Sequence, residues 1–186
     1  MVKVPAEINE TPEIFKEVQH VRQRWIWTIV VVISILTWYI FAQQIIFSTP
    51  VGKNPVSNRM IIIVWLIFGV GLPAFVISAR LETRVRSDGI YLRFIPWQRT
   101  FRKIALDDLH VAQVRNYRPL LEFGGWGIRK NRQGRAYTIS GTFGVQLLFN
   151  YEAPLLIGSQ RPDELSRAIQ SQCDHLQSEK SPAKDT

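Results

Sequence analysis

Residues 122–147 read EFGGWGIRKNRQGRAYTISGTFGVQL and hold Gly124, Gly125, Gly127, Gly134, Gly141 and Gly144 among Arg129, Lys130, Arg132 and Arg135. Glycines beside cations can cradle a phosphate when their backbone N–H groups converge on it, usually where a helix begins. The Walker pattern needs G-x-x-x-x-G-K-[ST], and the dinucleotide fingerprint needs G-x-G-x-x-G between a strand and a helix. Here Gly125-Trp126-Gly127 leads into Ile128-Arg129-Lys130, with no glycine at the next required position and a strand pattern following. Neither phosphate loop fits. Asp107 and Asp108 are adjacent, with His110 nearby, but neighbouring carboxylates point apart and suit turn capping better than metal ligation. His20, His110 and His175 are scattered, Cys173 is the only cysteine, and Ser140 and Ser159 have no base at a telling spacing. The expectation is therefore a protein without catalytic residues, metal or cofactor.

What these residues can do is bind. Three glycines around Trp126 exceed the needs of one turn. They make Trp126, Arg129 and Lys130 the candidate contacts for a partner, with a bulge in a strand wall as the expected local form. A second group is basic: Arg80, Arg84, Arg86, Arg93, Arg99, Arg102 and Lys103. Cations beside an anionic bilayer gain about 1 kcal/mol each, so this group is the candidate membrane-surface contact. No helix carries a basic reading face, so no nucleic-acid partner is expected.

The elements that position these residues follow from hydropathy. The chain has 186 residues and a net charge of +8. Two uncharged apolar runs, 25–47 and 60–79, are each long enough to cross about 30 Å of hydrocarbon as a helix. Neither contains an ionisable residue, which speaks against a proton relay or ion-coupled transport. The linker 48–59, rich in Pro, Gly, Asn and Ser, is short enough to make the two spans antiparallel neighbours. Lys16, Arg22 and Arg24 precede the first span and Arg80, Arg84 and Arg86 follow the second, against Lys53 and Arg59 in the loop. This asymmetry predicts both termini in the cytoplasm and an inner-membrane location. Gly71, Ala74 and Ser78 form a small-residue stripe expected to meet Ser34 and Thr37 of the first span, or a second copy of the chain.

Segment 1–24 is expected to be cytoplasmic and helical, because Thr11 can cap, Pro12 suits the first turn, and Ile14, Val18, Val21 and Trp25 share a helical stripe. From Leu81 the pattern becomes short and alternating. Strands are expected at ETRVR, IYLRFIP, FRKIAL, HVAQVRNY, WGIRK, RAYTIS, GVQLLFN and PLLIG, with hairpins at Asp88-Gly89 and at Asn131–Gly134. A helix from about Pro162 to Gln177 closes the series, and 178–186 is expected to be a disordered tail.

The runs RSDGIYLRF, FRKIALDDLHVAQV and PLLIGSQRPDELSRAI, in this order, resemble the pleckstrin-homology-like domains of bacterial and archaeal membrane proteins. The resemblance covers about 81–177 and implies a small antiparallel β-barrel or sandwich capped by a C-terminal helix. The expected fold is thus an α+β membrane protein, a two-helix transmembrane hairpin followed by that domain. The function this implies is docking or scaffolding at the inner membrane face, on protein partners or anionic lipid. The alternative is an accessory subunit of a membrane complex assembled through the hairpin.

Overall fold

The computed structural model describes residues 2–4, 12–52, 56–132 and 134–180. The chain forms two compact units, 1–21 with 80–186, and 22–79.

The second unit is a pair of helices. α1 (Arg24–Phe41) continues as π-helical Ala42–Ile46, and α2 (Asn58–Val64), π-helical Trp65–Gly71 and α3 (Leu72–Ser78) make the other arm. Arg24–Ile46 and Asn58–Ser78 are both long and apolar enough to cross a membrane, with mean hydropathies of 2.1 and 2.7. The helices meet at Gly69 rather than through Gly71, Ala74 and Ser78, which stay exposed. A Cβ at Gly69 would lie 3.1 Å from the Thr37 hydroxyl and 2.9 Å from the Trp65 ring. Pro73 has no N–H to donate to the Gly69 carbonyl four residues back. The Trp38 indole N–H donates to that carbonyl instead, at 3.3 Å, and Ser34 donates to the Phe68 carbonyl. Trp65 stacks on Phe41 with centroids 4.3 Å apart.

The first unit is a mixed α+β body of two five-stranded sheets and a C-terminal helix. Its strands are β1 (Val2–Val4), β2 (Glu13–His20), β3 (Arg80–Arg86), β4 (Gly89–Ile95), β5 (Phe101–Ile104), β6 (Leu109–Asn116), β7 (Gly127–Asn131), β8 (Gly134–Thr138), β9 (Phe143–Phe149) and β10 (Leu155–Gly158). A short helix, α4 (Pro119–Phe123), lies between β6 and β7, and α5 (Pro162–Lys180) ends the body. The sheet orders are β1-β5-β4-β3-β2 and β6-β9-β10-β8-β7. Inward residues such as Leu81, Val85, Ile90, Leu92, Val145 and Leu147 are fully buried, and so are Leu165 and Ile169 of α5. Leu156, on the opposite face of the second sheet, is buried with Tyr117, Phe123 and Ala136.

Four expectations change. Segment 13–20 is a strand, not a helix: β2 pairs antiparallel with β3 from Glu13↔Arg86 to His20↔Arg80. Its inward side chains are Phe15, Glu17 and Gln19, all buried, while Ile14 and Val18 of the supposed helical stripe are about 42–43% exposed. Glu17 is at home inside because Ser159 Oγ donates to one oxygen at 2.7 Å and the Gln160 N–H to the other at 2.8 Å. The barrel is not closed. The edges of β3 and β5 that could join the second sheet are taken by β2 and β1, from the chain ahead of the first helix. Nor is the second sheet wholly antiparallel, because β10 inserts beside β8 in parallel. Finally, α5 runs past Gln177 to Lys180, while the rest of the expected tail, 181–186, lies outside the described residues.

Candidate functional site

Two places collect the residues singled out by sequence. The first is built around Trp126. α4 ends at Gly124, whose φ of 68° is left-handed, and the N–H groups of Gly124 and Gly125 donate to the Leu120 and Pro119 carbonyls. Gly125 and Gly127 also have positive φ, so the chain reverses around Trp126 before entering β7. The extra glycines thus serve a helix stop and reversal, not a strand bulge. α4 is pinned by Glu122, which accepts the Arg118 N–H at 2.7 Å and pairs with Arg115. Trp126 Nε1 donates to the Gly141 carbonyl at 3.1 Å, and Arg129 Nε to the Trp126 carbonyl at 3.3 Å.

Opposite stands the turn after β4. Ile95–Pro96 is cis, and the Gln98 N–H donates to the Phe94 carbonyl at 2.6 Å. The turn leaves Trp97 66% exposed, with its ring 5.7 Å from that of Phe94. Phe94, Trp97, Gln98, Trp126, Ile128 and Arg129 line a groove of about 420 Å³. Two indoles, a phenyl ring and one guanidinium can hold an apolar or amphipathic group with an acceptor at its end. Among the described residues, the lining has no carboxylate, imidazole, thiol or hydroxyl, the side chains that most often carry proton transfer or nucleophilic attack. Lys130, exposed on β7, does not line it.

The second place is the outward face of the first sheet. Its cations do not form one free patch. Glu82, buried, binds Arg84 through one oxygen and Arg93 through the other. Glu13 pairs with Arg84 at 2.6 Å and Arg86 at 2.7 Å, and Asp88 with Lys103 at 2.6 Å. The Phe101 ring lies between two guanidiniums, 4.8 Å from Arg84 and 4.3 Å from Arg93. Burial alone would raise the Glu82 pKa, but hydrogen bonds and charge from Arg93 and Arg84 outweigh it and hold the carboxyl below the usual range. Glu13 and Asp88 are lowered in the same way, against their own burial, by Arg86 and Arg84 and by Lys103 and Tyr91. Arg102 faces inward. Arg80 and Arg99 remain exposed and form no ion pair among the described residues.

Arg80 begins β3 and pairs with His20, the end of β2, and with Ile95, the end of β4. The chain enters the first apolar helix from β2 and leaves the second into β3. Arg80, the Trp97 turn and Arg99 therefore belong to the end of the sheet from which both apolar helices connect. Trp97 was not singled out by sequence. The available signal was Ile95-Pro96-Trp97, a proline ending a strand with an indole just after it.

Asp107, Asp108 and His110 are exposed, and among the described residues no group of His, Cys, Asp and Glu could hold a metal ion. Cys173 is half-buried in α5, and burial pushes its thiol up. No curated protein and no solved structure matches the chain. A model for a family of unknown function (DUF6141) matches residues 6–176, nearly the whole described body, and the chain belongs to that family.

Proposed function

We propose that the protein is a membrane-anchored docking module. In this reading the helical hairpin spans the inner membrane, both termini are cytoplasmic, and the β unit, of pleckstrin-homology-like type, works at the membrane surface. The groove between Trp97 and Trp126 carries the proposal, because it sits at the end of the sheet that both apolar helices enter. Amphipathic aromatics favour the headgroup region, and Arg80 and Arg99 add about 1 kcal/mol each near anionic lipid. Such small terms suffice for a tethered unit, since the tether makes docking intramolecular. Two sheets followed by a helix support the pleckstrin-homology-like reading, while the open barrel and the parallel β8–β10 pair set it apart.

The test is amide hydrogen exchange on the full chain in nanodiscs. Segments 95–100 and 124–129 should exchange more slowly in discs containing phosphatidylglycerol than in phosphatidylcholine alone. Equal exchange in both would remove anionic lipid from the proposal. A protein partner would then be sought by cross-linking from Trp97 in native membranes.

A second reading, an accessory subunit assembled through the hairpin, is favoured by a groove of about 240 Å³ between the helices, lined by Thr37, Ile40, Gln44, Met60 and Trp65 among others. A lone monomer after purification in mild detergent counts against it.

A further inference from the structure

We infer that the groove between Trp97 and Trp126 is a binding site for a phosphoethanolamine group, the headgroup of phosphatidylethanolamine. Gln98 is the starting point. It lines the groove in the turn after β4, and its backbone N–H closes that turn on the Phe94 carbonyl. Its side-chain oxygen, Oε1, is buried and accepts no hydrogen bond among the described residues. A buried acceptor left without a donor is costly, and a fold that keeps one calls for a reason. A ligand in the groove supplies that donor after a small turn of the amide. The surroundings are aromatic: Phe94, Trp97 and Trp126 line the groove, and among the described residues no carboxylate does. Aromatic faces attract a cation, and indoles do so best. An ammonium serves both needs, because its N–H groups reach an amide oxygen while its charge meets the rings.

Arg129 sets the other end of the ligand. Its Nε donates to the Trp126 carbonyl at 3.3 Å, which leaves the two Nη groups for another acceptor. A Cβ on Gly125 would lie 3.5 Å from Nη2, so the guanidinium lies back along the glycine turn beside Trp126. It forms no ion pair among the described residues, and its fork of donors suits a phosphate. An ammonium and a phosphate one short linker apart describe phosphoethanolamine. The groove's volume of about 420 Å³ falls in the range of small-molecule sites, about 300–1,000 Å³. Choline carries the same charge but no N–H, so it leaves Gln98 unsatisfied. Phosphoglycerol has hydroxyl donors but no cation for the rings. A lipid as the source of the group rests on the docking reading, because the groove stands at the end of the sheet that both apolar helices enter.

The probes are glycerophosphoethanolamine, glycerophosphocholine and glycerophosphoglycerol, titrated into the full chain in a maltoside detergent and followed by saturation-transfer nuclear magnetic resonance. Glycerophosphoethanolamine should bind saturably and about tenfold more tightly than either of the others, the value of one hydrogen bond to a charged group. Gln98→Leu, which keeps the shape and the backbone N–H, should remove that preference. Gln98→Glu should tighten glycerophosphoethanolamine, and Arg129→Met should weaken all three. If Gln98→Leu does not fold, as judged by near-ultraviolet circular dichroism, Gln98→Glu and Arg129→Met decide. Amide exchange in nanodiscs tests the source: segment 95–100 should slow when phosphatidylethanolamine replaces part of the phosphatidylcholine, and not in Gln98→Leu. Headgroup binding in detergent without that slowing supports the ligand and overturns the docking reading. No saturable binding, equal binding of the three probes, or a preference that survives folded Gln98→Leu overturns the assignment, and slowing by phosphatidylglycerol would then leave the docking reading standing.

Discussion

Glu82 is 4% exposed on β3, between the guanidiniums of Arg84 and Arg93. Its folded pKa lies below the ordinary carboxylate value, as do those of Glu13 and Asp88. A depressed carboxylate stabilises the fold above its unfolded pKa, about 4.3 for Glu, and that contribution is lost as pH falls through the folded value. Stability of the β unit should therefore drop below about pH 4.3, and Glu82→Gln should flatten that acid limb. At neutral pH the same substitution should cost about 3 kcal/mol, the low end for breaking a buried pair, because both arginines still reach solvent. Denaturant unfolding against pH checks both, and an unchanged acid limb would count against the pairing. Gly134 is a second residue-scale case. Its φ is 124°, and a Cβ there would lie 2.1 Å from the Pro154 carbonyl oxygen. Gly134→Ala should cost about 3 kcal/mol or more, since both strain and overlap must be relieved by moving backbone. A loss under 1 kcal/mol by the same measurement would contradict that close approach.

At the scale of elements, β2 is the decisive strand. It comes from before the first apolar helix yet completes the sheet begun by β3 after the second. A fragment of residues 80–180 lacks β2, exposing the β3 edge and leaving Ser159 and the Gln160 N–H without Glu17. It should fail to unfold cooperatively, and a peptide of residues 12–21 should restore a transition. A fragment as stable as the full chain would contradict this. β2 also shows where sequence reading ran short. The strands from 80 to 158 were legible because apolar and polar side chains alternate and Asp88-Gly89 and Gly134 mark turns. β2 buries Glu17 and Gln19, so its inward side looks polar, while Ile14 and Val18 face outward and mimic a helical stripe. Only donors far along the chain, the Ser159 hydroxyl and the Gln160 N–H, make the burial of Glu17 tolerable. The small-residue stripe misled for a related reason. The helices approach at Gly69, where Pro73 leaves a carbonyl for Trp38, a pairing no single-chain period reveals. Of the candidate contacts, Trp126 and Arg129 do line a groove, but its other wall comes from Phe94 and Trp97, which are remote in sequence.

For the whole molecule, the hairpin and the β unit are joined by short connections at a single end of the first sheet. Salt bridges consume most of the basic cluster that sequence assigned to the membrane surface. What remains exposed at that end is Arg80, Arg99 and the Trp97 turn. The docking proposal thus rests on the exposed indole of Trp97, which would sit at headgroup depth, more than on net charge. Its most direct measurement is the depth of residue 97 by spin labelling. A nitroxide at Trp97→Cys, in a Cys173→Ser background, is compared in nanodiscs with one at Tyr151→Cys, whose parent side chain is 88% exposed. The account predicts that label 97 meets oxygen more and a water-soluble nickel chelate less than label 151, as at headgroup depth. Equal, fully aqueous accessibility at both positions would contradict it.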